Sequence, residues 1–169
     1  MRNKVLTLAA DDLWVIQWYV DAAFAVHKDF KSHTGAAMTY GTGAVQNISH
    51  KQKINTKSST DAELIAADDV SIMILWTKLF LDVQGYNMER NILYQDNKST
   101  IHLETNGHKS MGKRSRALNV WYIFLTNQVN QGNLSINYCL TNDMWRDFHS
   151  KPLQGKCFQD FWSKIMGKS

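Results

Sequence analysis

Four acidic residues occupy positions from which a carboxylate group can do chemistry, and these are Asp21, Glu63, Asp96 and Asp147. Asp21 follows the apolar run at 14–20, and Asp96 closes a second short run at 91–95. An unpaired charge inside a sheet is costly, so solvation explains an acid at the end of a buried strand poorly. The placement of Asp21 therefore predicts that its carboxylate binds a cation.

Carboxylates drawn from separate elements favour a hard divalent ion. Mg²⁺ takes oxygen ligands and retains several waters, whereas zinc would require histidine or cysteine ligands. Two such ions about 4 Å apart can activate a water on one side of a phosphate and stabilise the leaving oxygen on the other. The four acids therefore predict a centre for two Mg²⁺ ions, with Mn²⁺ as a possible substitute.

Three of the four acids also have ordinary structural explanations. Thr60 and Glu63 match the spacing of a capping box, in which Glu63 would reach back to the backbone N–H of Thr60. Asp96 is placed to cap a helix that starts at Asn97, and Asp147 is placed to be a solvated helix residue. Read one at a time, these residues leave both interpretations open.

Hydrophobic periodicity and turn residues indicate the elements that must bring the acids together. Three strands are predicted at 14–26, 35–40 and 44–50, followed by a helix at 60–83. The remaining predictions are a strand at 91–95, helices at 97–105 and 116–130, a strand at 133–139, a helix from 142 or 143 to 149, and a helix at 156–166. The order βββαβααβαα predicts a single α/β domain over residues 1–169, with an N-terminal extension at 1–13 and a C-terminal helix at 154–169.

The helix at 60–83 shows apolar residues at helical spacing. Its predicted buried face consists of Leu64, Ala67, Ile72, Leu75, Leu79 and Val83. Gly85 is expected to end the helix, since glycine is common just beyond a helix C-terminus.

The charge of the chain favours a polyanionic partner, because its 169 residues carry a formal net charge of +4. Four cations with no acid among them lie at 108–116, namely Lys109, Lys113, Arg114 and Arg116. A second basic stretch, formed by Lys51, Lys53 and Lys57, precedes Glu63. Two positive loops around an acidic centre suit an enzyme that acts on phosphodiesters, and ordinary solvated loops are the alternative.

The N-terminal segment and the cysteines indicate an intracellular protein. The apolar stretch within residues 1–12 is too short for a secretory signal or a membrane span. The two cysteines, Cys139 and Cys157, have neither the spacing of a metal site nor the density of a disulfide framework. We therefore expect a protein without a membrane partner.

Three motifs follow one another in the chain: SSTDAEL at 58–64, YQDNKS at 94–99 and D-x-x-S-K-P-L at 147–153. Together they resemble the ribonuclease H domain of copia-type LTR retrotransposon polyproteins, and the similarity runs from about residue 14 to the end of the chain. The resemblance implies a ribonuclease H-like fold, with a five-stranded mixed sheet flanked by helices. It also implies Mg²⁺-dependent cleavage of the RNA strand of an RNA–DNA hybrid.

The same resemblance implies a role for each acid. Asp21 would bridge both ions, while Glu63 and Asp96 would complete the shell. Asp147 would hold the ion nearer the attacking water, which would be the nucleophile. A reverse transcriptase domain would lie upstream in the polyprotein, and the isolated domain is expected to be a monomer from cytoplasmic virus-like particles.

Substrate contacts are predicted by position. Ser59 and Asn97 neighbour the catalytic acids and are candidates for reading 2′-hydroxyl groups across the minor groove. The cations at 108–116 are expected to follow the phosphates of the DNA strand, so that affinity falls steeply with salt. His149 is a candidate for assisting product release, with an ordinary surface histidine as the alternative.

The chain departs from the family pattern at three places. Many relatives carry another acid where Ala23 stands, a small residue where Arg146 stands, and more polar groups within 117–124. These departures leave a nucleic-acid-binding module without catalysis as one alternative, although all four acids are retained. A DNA-cutting or strand-transferring enzyme of the same fold is another, since fold alone does not decide chemistry.

Overall fold

A computed structural model of the chain describes residues 5–106, 116–140 and 147–168, while the side chains at 106, 116–122 and 147 lie outside this description. The strands are β1 (Ala9–Ala10), β2 (Val15–Ala23), β3 (His33–Thr39), β4 (Gly41–Thr42), β5 (Gln46–Lys51), β6 (Arg90–Gln95) and β7 (Ser135–Tyr138). The helices are α1 (Ser59–Val83), α2 (Lys98–Asn106), α3 (Arg116–Asn130), α4 (Asp147–Ser150) and α5 (Gly155–Ile165).

Five strands form the central sheet in the order β5-β3-β2-β6-β7. β3 pairs antiparallel with both β2 and β5, whereas β6 pairs parallel with both β2 and β7. Short links suffice between antiparallel strands, but parallel neighbours need longer connections. α2 and α3 lie between the parallel neighbours β6 and β7 in the chain, and α1 lies between β5 and β6. The predicted α/β class and five-stranded mixed sheet are confirmed, and the two-residue strands β1 and β4 form a small additional sheet.

The core lies between the sheet and α1. Alternate residues of β2, namely Ile16, Trp18 and Val20, are fully buried there because successive side chains of a strand point to opposite faces. Val70 and Ile74 of α1 belong to the same cluster. This packing fixes the first half of α1 over the strand that carries Asp21.

The predicted buried face of α1 is wrong in its second half. Ile72, Leu79 and Val83 are 73%, 64% and 74% exposed. The core-facing stripe continues instead through Val70 and Ile74, which are fully buried. Helical spacing identifies a stripe of apolar residues, but the neighbouring elements decide which stripe is covered.

Other boundaries differ from the predictions by a few residues. β2 ends at Ala23 instead of residue 26, since the backbone turns through Ala25, whose φ is 52°. The helix predicted up to residue 149 is seen as α4, and the predicted start at 142 or 143 lies outside the described residues. Within the described ranges, no helix combines the length and the apolar composition that a bilayer crossing demands.

Candidate metal centre

Asp21 and Asp96 lie side by side at one edge of the sheet. β2 and β6 are parallel neighbours in which Tyr19 is paired with Tyr94. Asp21 and Asp96 each stand two residues further along, so both carboxylates point to the same face. The register of one parallel strand pair therefore brings together two acids that are far apart in sequence.

The first half of α1 brings Glu63 to the same edge. The side chain of Gln52, which is 1% exposed, donates from Nε2 to the carbonyl oxygen of Ala62 at 2.9 Å. The same nitrogen donates to Oγ1 of Thr34 on β3 at 3.2 Å. These two hydrogen bonds hold the backbone beside Glu63 against the sheet.

The three acids form one cluster. One carboxylate oxygen from each of Asp21, Glu63 and Asp96 lies within 4.8 Å of the other two. Asp21 is 2% exposed and Glu63 is 6% exposed, while Asp96 is half-buried and opens the cluster towards solvent. Like charges gathered away from water repel one another, so this arrangement favours a bound cation.

The structural explanation for Glu63 is wrong. The N-cap of α1 is Ser58, whose Oγ accepts a hydrogen bond from the backbone N–H of Asp61 at 3.1 Å. The helix therefore begins before Thr60, and Glu63 lies beyond the capping position.

The structural explanation for Asp96 is wrong for a similar reason. Asn97 caps α2, because its Oδ1 accepts hydrogen bonds from the backbone N–H groups of Ser99 at 3.0 Å and Thr100 at 3.3 Å. The neutral side chains of Ser58 and Asn97 therefore cap the two helices. The carboxylates of Glu63 and Asp96 belong to the acidic cluster.

Asp147 is the first residue of α4, and its side chain lies outside the described residues. α4 packs against β2 and β3, the strand that carries Asp21 and its antiparallel neighbour. The backbone is thus close to the acidic edge, and the ligand role of Asp147 stays a prediction.

Two residues that follow Asp147 contact the cluster directly. Ser150 donates from Oγ to Oδ2 of Asp21 at 2.5 Å, and Nζ of Lys151 lies 3.6 Å from the same oxygen. Neither residue was predicted as part of the site, although both stand in the motif at 147–153. Their spacing three and four residues after Asp147 was the available signal.

A further carboxyl group, that of Glu104, contacts the residue that precedes Asp96. Glu104 of α2 is fully buried, and Gln95, the residue before Asp96, donates from Nε2 to its Oε1 at 3.3 Å. Burial raises the pKa of Glu104 to about 8, despite the opposing effect of the Gln95 hydrogen bond. Glu104 is therefore mostly protonated at neutral pH and adds little charge to the acidic edge.

Three other predicted residues, Ser59, Asn97 and His149, are described and lie outside the cluster. Ser59 is exposed at the start of α1, and Asn97 is half-buried beside Asp96. His149 is half-buried, with Nε2 at 2.8 Å from Oδ1 of Asn47, and burial lowers its pKa. Lys109, Lys113 and Arg114 lie outside the described residues, as does the side chain of Arg116.

The donor set fits magnesium. All three converging groups are carboxylates, the hard oxygen ligands that Mg²⁺ takes in proteins. Ligand oxygens around a single Mg²⁺ lie up to about 4.2 Å apart, given bonds of about 2.1 Å. Oxygens that lie within 4.8 Å of one another are compatible with one ion or with two ions about 4 Å apart.

Solved structures with a similar fold include ribonucleases H. RNase H1 LC11, isolated from compost, matches with a TM-score of 0.56 and 14% identity, covering 79% of this chain and 89% of that one. The N-terminal RNase H domain of a Mycobacterium tuberculosis protein matches with a TM-score of 0.54 and 8% identity, covering 88% of this chain and 96% of that one. The fold and the acidic edge define a protein of the ribonuclease H-like class.

Sequence comparison narrows this class. The chain is 32% identical over 149 residues to the retrovirus-related Pol polyprotein from transposon RE1 of Arabidopsis thaliana, covering 87% of this chain and 10% of the relative. It is 30% identical over 146 residues to that from transposon TNT 1-94 of Nicotiana tabacum, covering 86% and 11%. No protein-family model matches the chain.

The chain therefore spans about a tenth of the length of the curated relatives that it matches. It is a ribonuclease H-like domain homologous to a segment of the Pol polyproteins of copia-type retrotransposons. The resemblance inferred from the three motifs is confirmed.

Proposed function

We propose that this chain is a Mg²⁺-dependent endoribonuclease that hydrolyses the RNA strand of RNA–DNA hybrids by a two-metal mechanism. The observation that carries the proposal is the convergence of Asp21, Glu63 and Asp96 at one edge of a ribonuclease H-like sheet. A second structure of RNase H1 LC11, with a TM-score of 0.50 and 13% identity, is of its complex with an RNA/DNA hybrid. That complex supports a hybrid as the substrate of the present chain.

The acids of the cluster would have different roles, because they differ in burial. Asp21 and Glu63 are buried and held by the sheet and by α1, so they would fix the position of the bound ions. Asp96 is half-buried and faces the side from which a substrate can approach. Asp147 would complete the ligand set. Bound Mg²⁺ would supply activation of the water nucleophile and stabilisation of the leaving oxygen.

Recognition of the hybrid would depend on groups around the cluster. Ser59 and Asn97 flank the acids and would contact 2′-hydroxyl groups of the RNA strand. The basic segment with Lys109, Lys113, Arg114 and Arg116 would contact phosphates of the DNA strand. Together these contacts would distinguish a hybrid from duplex DNA.

The proposed biological setting is a retrotransposon Pol polyprotein. A reverse transcriptase domain upstream in that polyprotein would deliver the hybrid, since reverse transcription produces it. The proposal further places the domain in cytoplasmic virus-like particles, without a membrane partner. The isolated domain is proposed to be a monomer.

The test is a gel assay with labelled RNA–DNA hybrid, single-stranded RNA and duplex DNA, in Mg²⁺, Mn²⁺ or chelator. The Asp21→Asn variant removes a buried acid of the cluster, and Asp160→Asn removes an exposed acid of α5 as a matched control. We expect RNA cleavage in the hybrid only, supported by either ion, lost in chelator and in Asp21→Asn, and retained in Asp160→Asn.

Two outcomes would favour the alternatives. Tight binding of hybrid without cleavage at any metal concentration would indicate a binding module of the same fold. Equal cutting of duplex DNA would indicate a DNA-processing enzyme instead. Adding the upstream polymerase domain to the assay separates an inactive site from a site that needs help to hold its substrate.

A further inference from the structure

The backbone of α4 lies directly against the strand next to Asp21. Gly35 of β3 is paired with Asp21 across the antiparallel ladder. A Cβ atom on Gly35 would lie 2.8 Å from the backbone nitrogen of Ser150 and 3.0 Å from the carbonyl carbon of His149. Only a residue without a side chain permits this approach. The end of α4 therefore packs directly against the backbone of Gly35.

Contacts away from the acids hold α4 in this place. Ser49 of β5 donates from Oγ to the carbonyl oxygen of His149 at 2.9 Å. Asn47, two residues earlier on the same strand, contacts the ring of His149 through Oδ1. Phe148 packs against the small apolar cluster that contains Ala37. Contacts other than the one with Asp21 therefore contribute to the position of α4.

Ser150 makes the closest contact with Asp21. Its side chain is 5% exposed and donates from Oγ to Oδ2 at 2.5 Å, across 129 positions of sequence. Hydroxyl-to-carboxylate hydrogen bonds of about 2.5–2.7 Å are the strong, charge-assisted kind. A hydrogen bond to one carboxylate oxygen restricts rotation of the group and leaves a lone pair on that oxygen for a metal ion.

Lys151 contacts the same oxygen differently. Its Nζ is 3.6 Å from Oδ2, and its side chain is 41% exposed, so the ion pair is partly screened by water. An ammonium group at this distance opposes the carboxylate charge but does not fix its orientation. It also repels a divalent ion that binds the same carboxylate.

We propose that Ser150 is a positioning residue that orients the Asp21 carboxylate for the metal ion, while Lys151 is a counter-charge that competes with that ion. This inference rests on the proposed function, because it concerns the same metal centre. It assigns opposite effects on metal affinity to two adjacent side chains.

The test is calorimetric titration of the full chain with Mg²⁺ in the absence of nucleic acid. Loss of an outer hydrogen bond to a metal ligand typically weakens metal affinity about 10- to 100-fold, and we expect this for Ser150→Ala. Ser150→Thr keeps the hydroxyl group and is expected to restore most of the affinity. Lys151→Met is expected to bind Mg²⁺ more tightly than the unmodified chain.

Ser71→Ala is the matched control, because Ser71 is fully buried and donates to its own helix at the carbonyl oxygen of Asp68. It is expected to leave Mg²⁺ affinity unchanged. Melting in chelator, measured for every variant, establishes that each one is folded before titration.

The outcomes separate this inference from the proposed function. If the unmodified chain binds Mg²⁺ and Ser150→Ala binds it equally well, the positioning role is overturned and the metal centre stands. Weaker binding in Lys151→Met would overturn the counter-charge role. If the unmodified chain binds neither Mg²⁺ nor Mn²⁺, the proposed metal-dependent function fails together with the inference.

Discussion

The two ends of the central sheet bury opposite kinds of group. At the end where β2 and β6 finish, Asp21 and Glu63 are buried together. At the end where those strands begin, Val15 and Met88 are buried, and Met88 lines an apolar cavity of about 390 Å³. Buried like charges cost stability, whereas buried apolar surface supplies it. The comparison indicates that the candidate site lies at the end where burial of charged groups lowers stability. Burial of apolar residues at the other end raises stability.

The largest effect is expected for Glu63→Gln, which tests whether the acidic end serves catalysis and not stability. Removing one ligand of a metal centre forfeits several kcal/mol of transition-state stabilisation, so hybrid cleavage should fall about a thousandfold. The melting temperature in chelator should stay the same or rise, because a neutral amide relieves repulsion in the cluster.

Glu89→Gln makes the same chemical change at an exposed glutamate and should preserve both the rate and the melting temperature. A marked fall in the melting temperature of Glu63→Gln would contradict the contrast, since it would show that the acidic end also stabilises the fold.

The apolar end is tested by Met88→Ala. Met88 is 6% exposed, and truncation of a buried methionine should lower the free energy of unfolding by about 2 kcal/mol. Cleavage per folded molecule should be unchanged, because Met88 is at the far end of the strands. Met73→Ala removes the same atoms from a side chain that is 36% exposed, and denaturant titration should show a smaller loss.

The buried carboxyl group of Glu104, next to the acidic end, should make the free energy of unfolding depend on pH. Burial raises the pKa of Glu104 from 4.5 to about 8, so the folded protein binds a proton that the unfolded chain has released. Its contribution to stability is fully present below pH 4.5 and is lost as the pH rises to about 8. Between pH 7 and pH 8 this loss is about 1 kcal/mol.

Glu104→Gln is neutral at every pH and should remove this part of the pH dependence. Denaturant titrations of both chains at a series of pH values give the comparison. A parallel pair of stability curves from pH 5 to pH 9 would show that the pKa of Glu104 is not raised.

The smallest effect is expected on the outer face of α1. Leu79 is 64% exposed, so Leu79→Gln should change the free energy of unfolding by less than about 0.5 kcal/mol. Leu93→Gln places the same amide in the core, where Leu93 is fully buried, and should prevent stable folding. A large destabilisation by Leu79→Gln would mean that this face is covered in solution.

Much of the fold was predictable because its signals are local. α3 was predicted at 116–130 and spans Arg116–Asn130, and α5 differs from its prediction by one residue at each end. Helical spacing and glycine stops depend on neighbouring residues alone. The buried face of α1 was only half correct, because Ile72 and Leu79 have the right spacing but are exposed in the part of the chain that the structure describes.

The acids of the candidate site were predictable from the sequence, but the residues that position them were not. Asp21 was identified from an uncompensated charge after an apolar run, which is a local signal. Ser150 has only its place in the motif at 147–153 as a signal, and Gly35 has none, since serine and glycine are common in loops and strands of every kind. Their roles depend on a contact between segments that the sequence does not relate.

The sequence by itself determined the order of the five main strands and of the helices, because these follow from the pattern of neighbouring side chains. It also singled out four acids, three of which converge in the structure. Tertiary structure alone decided that Ser58 and Asn97 cap the helices, that Glu63 and Asp96 meet Asp21, and that Ser150 and Lys151 share one of its oxygens. Strand register and helix docking set distances between atoms far apart along the chain, and such distances exist only in the folded molecule.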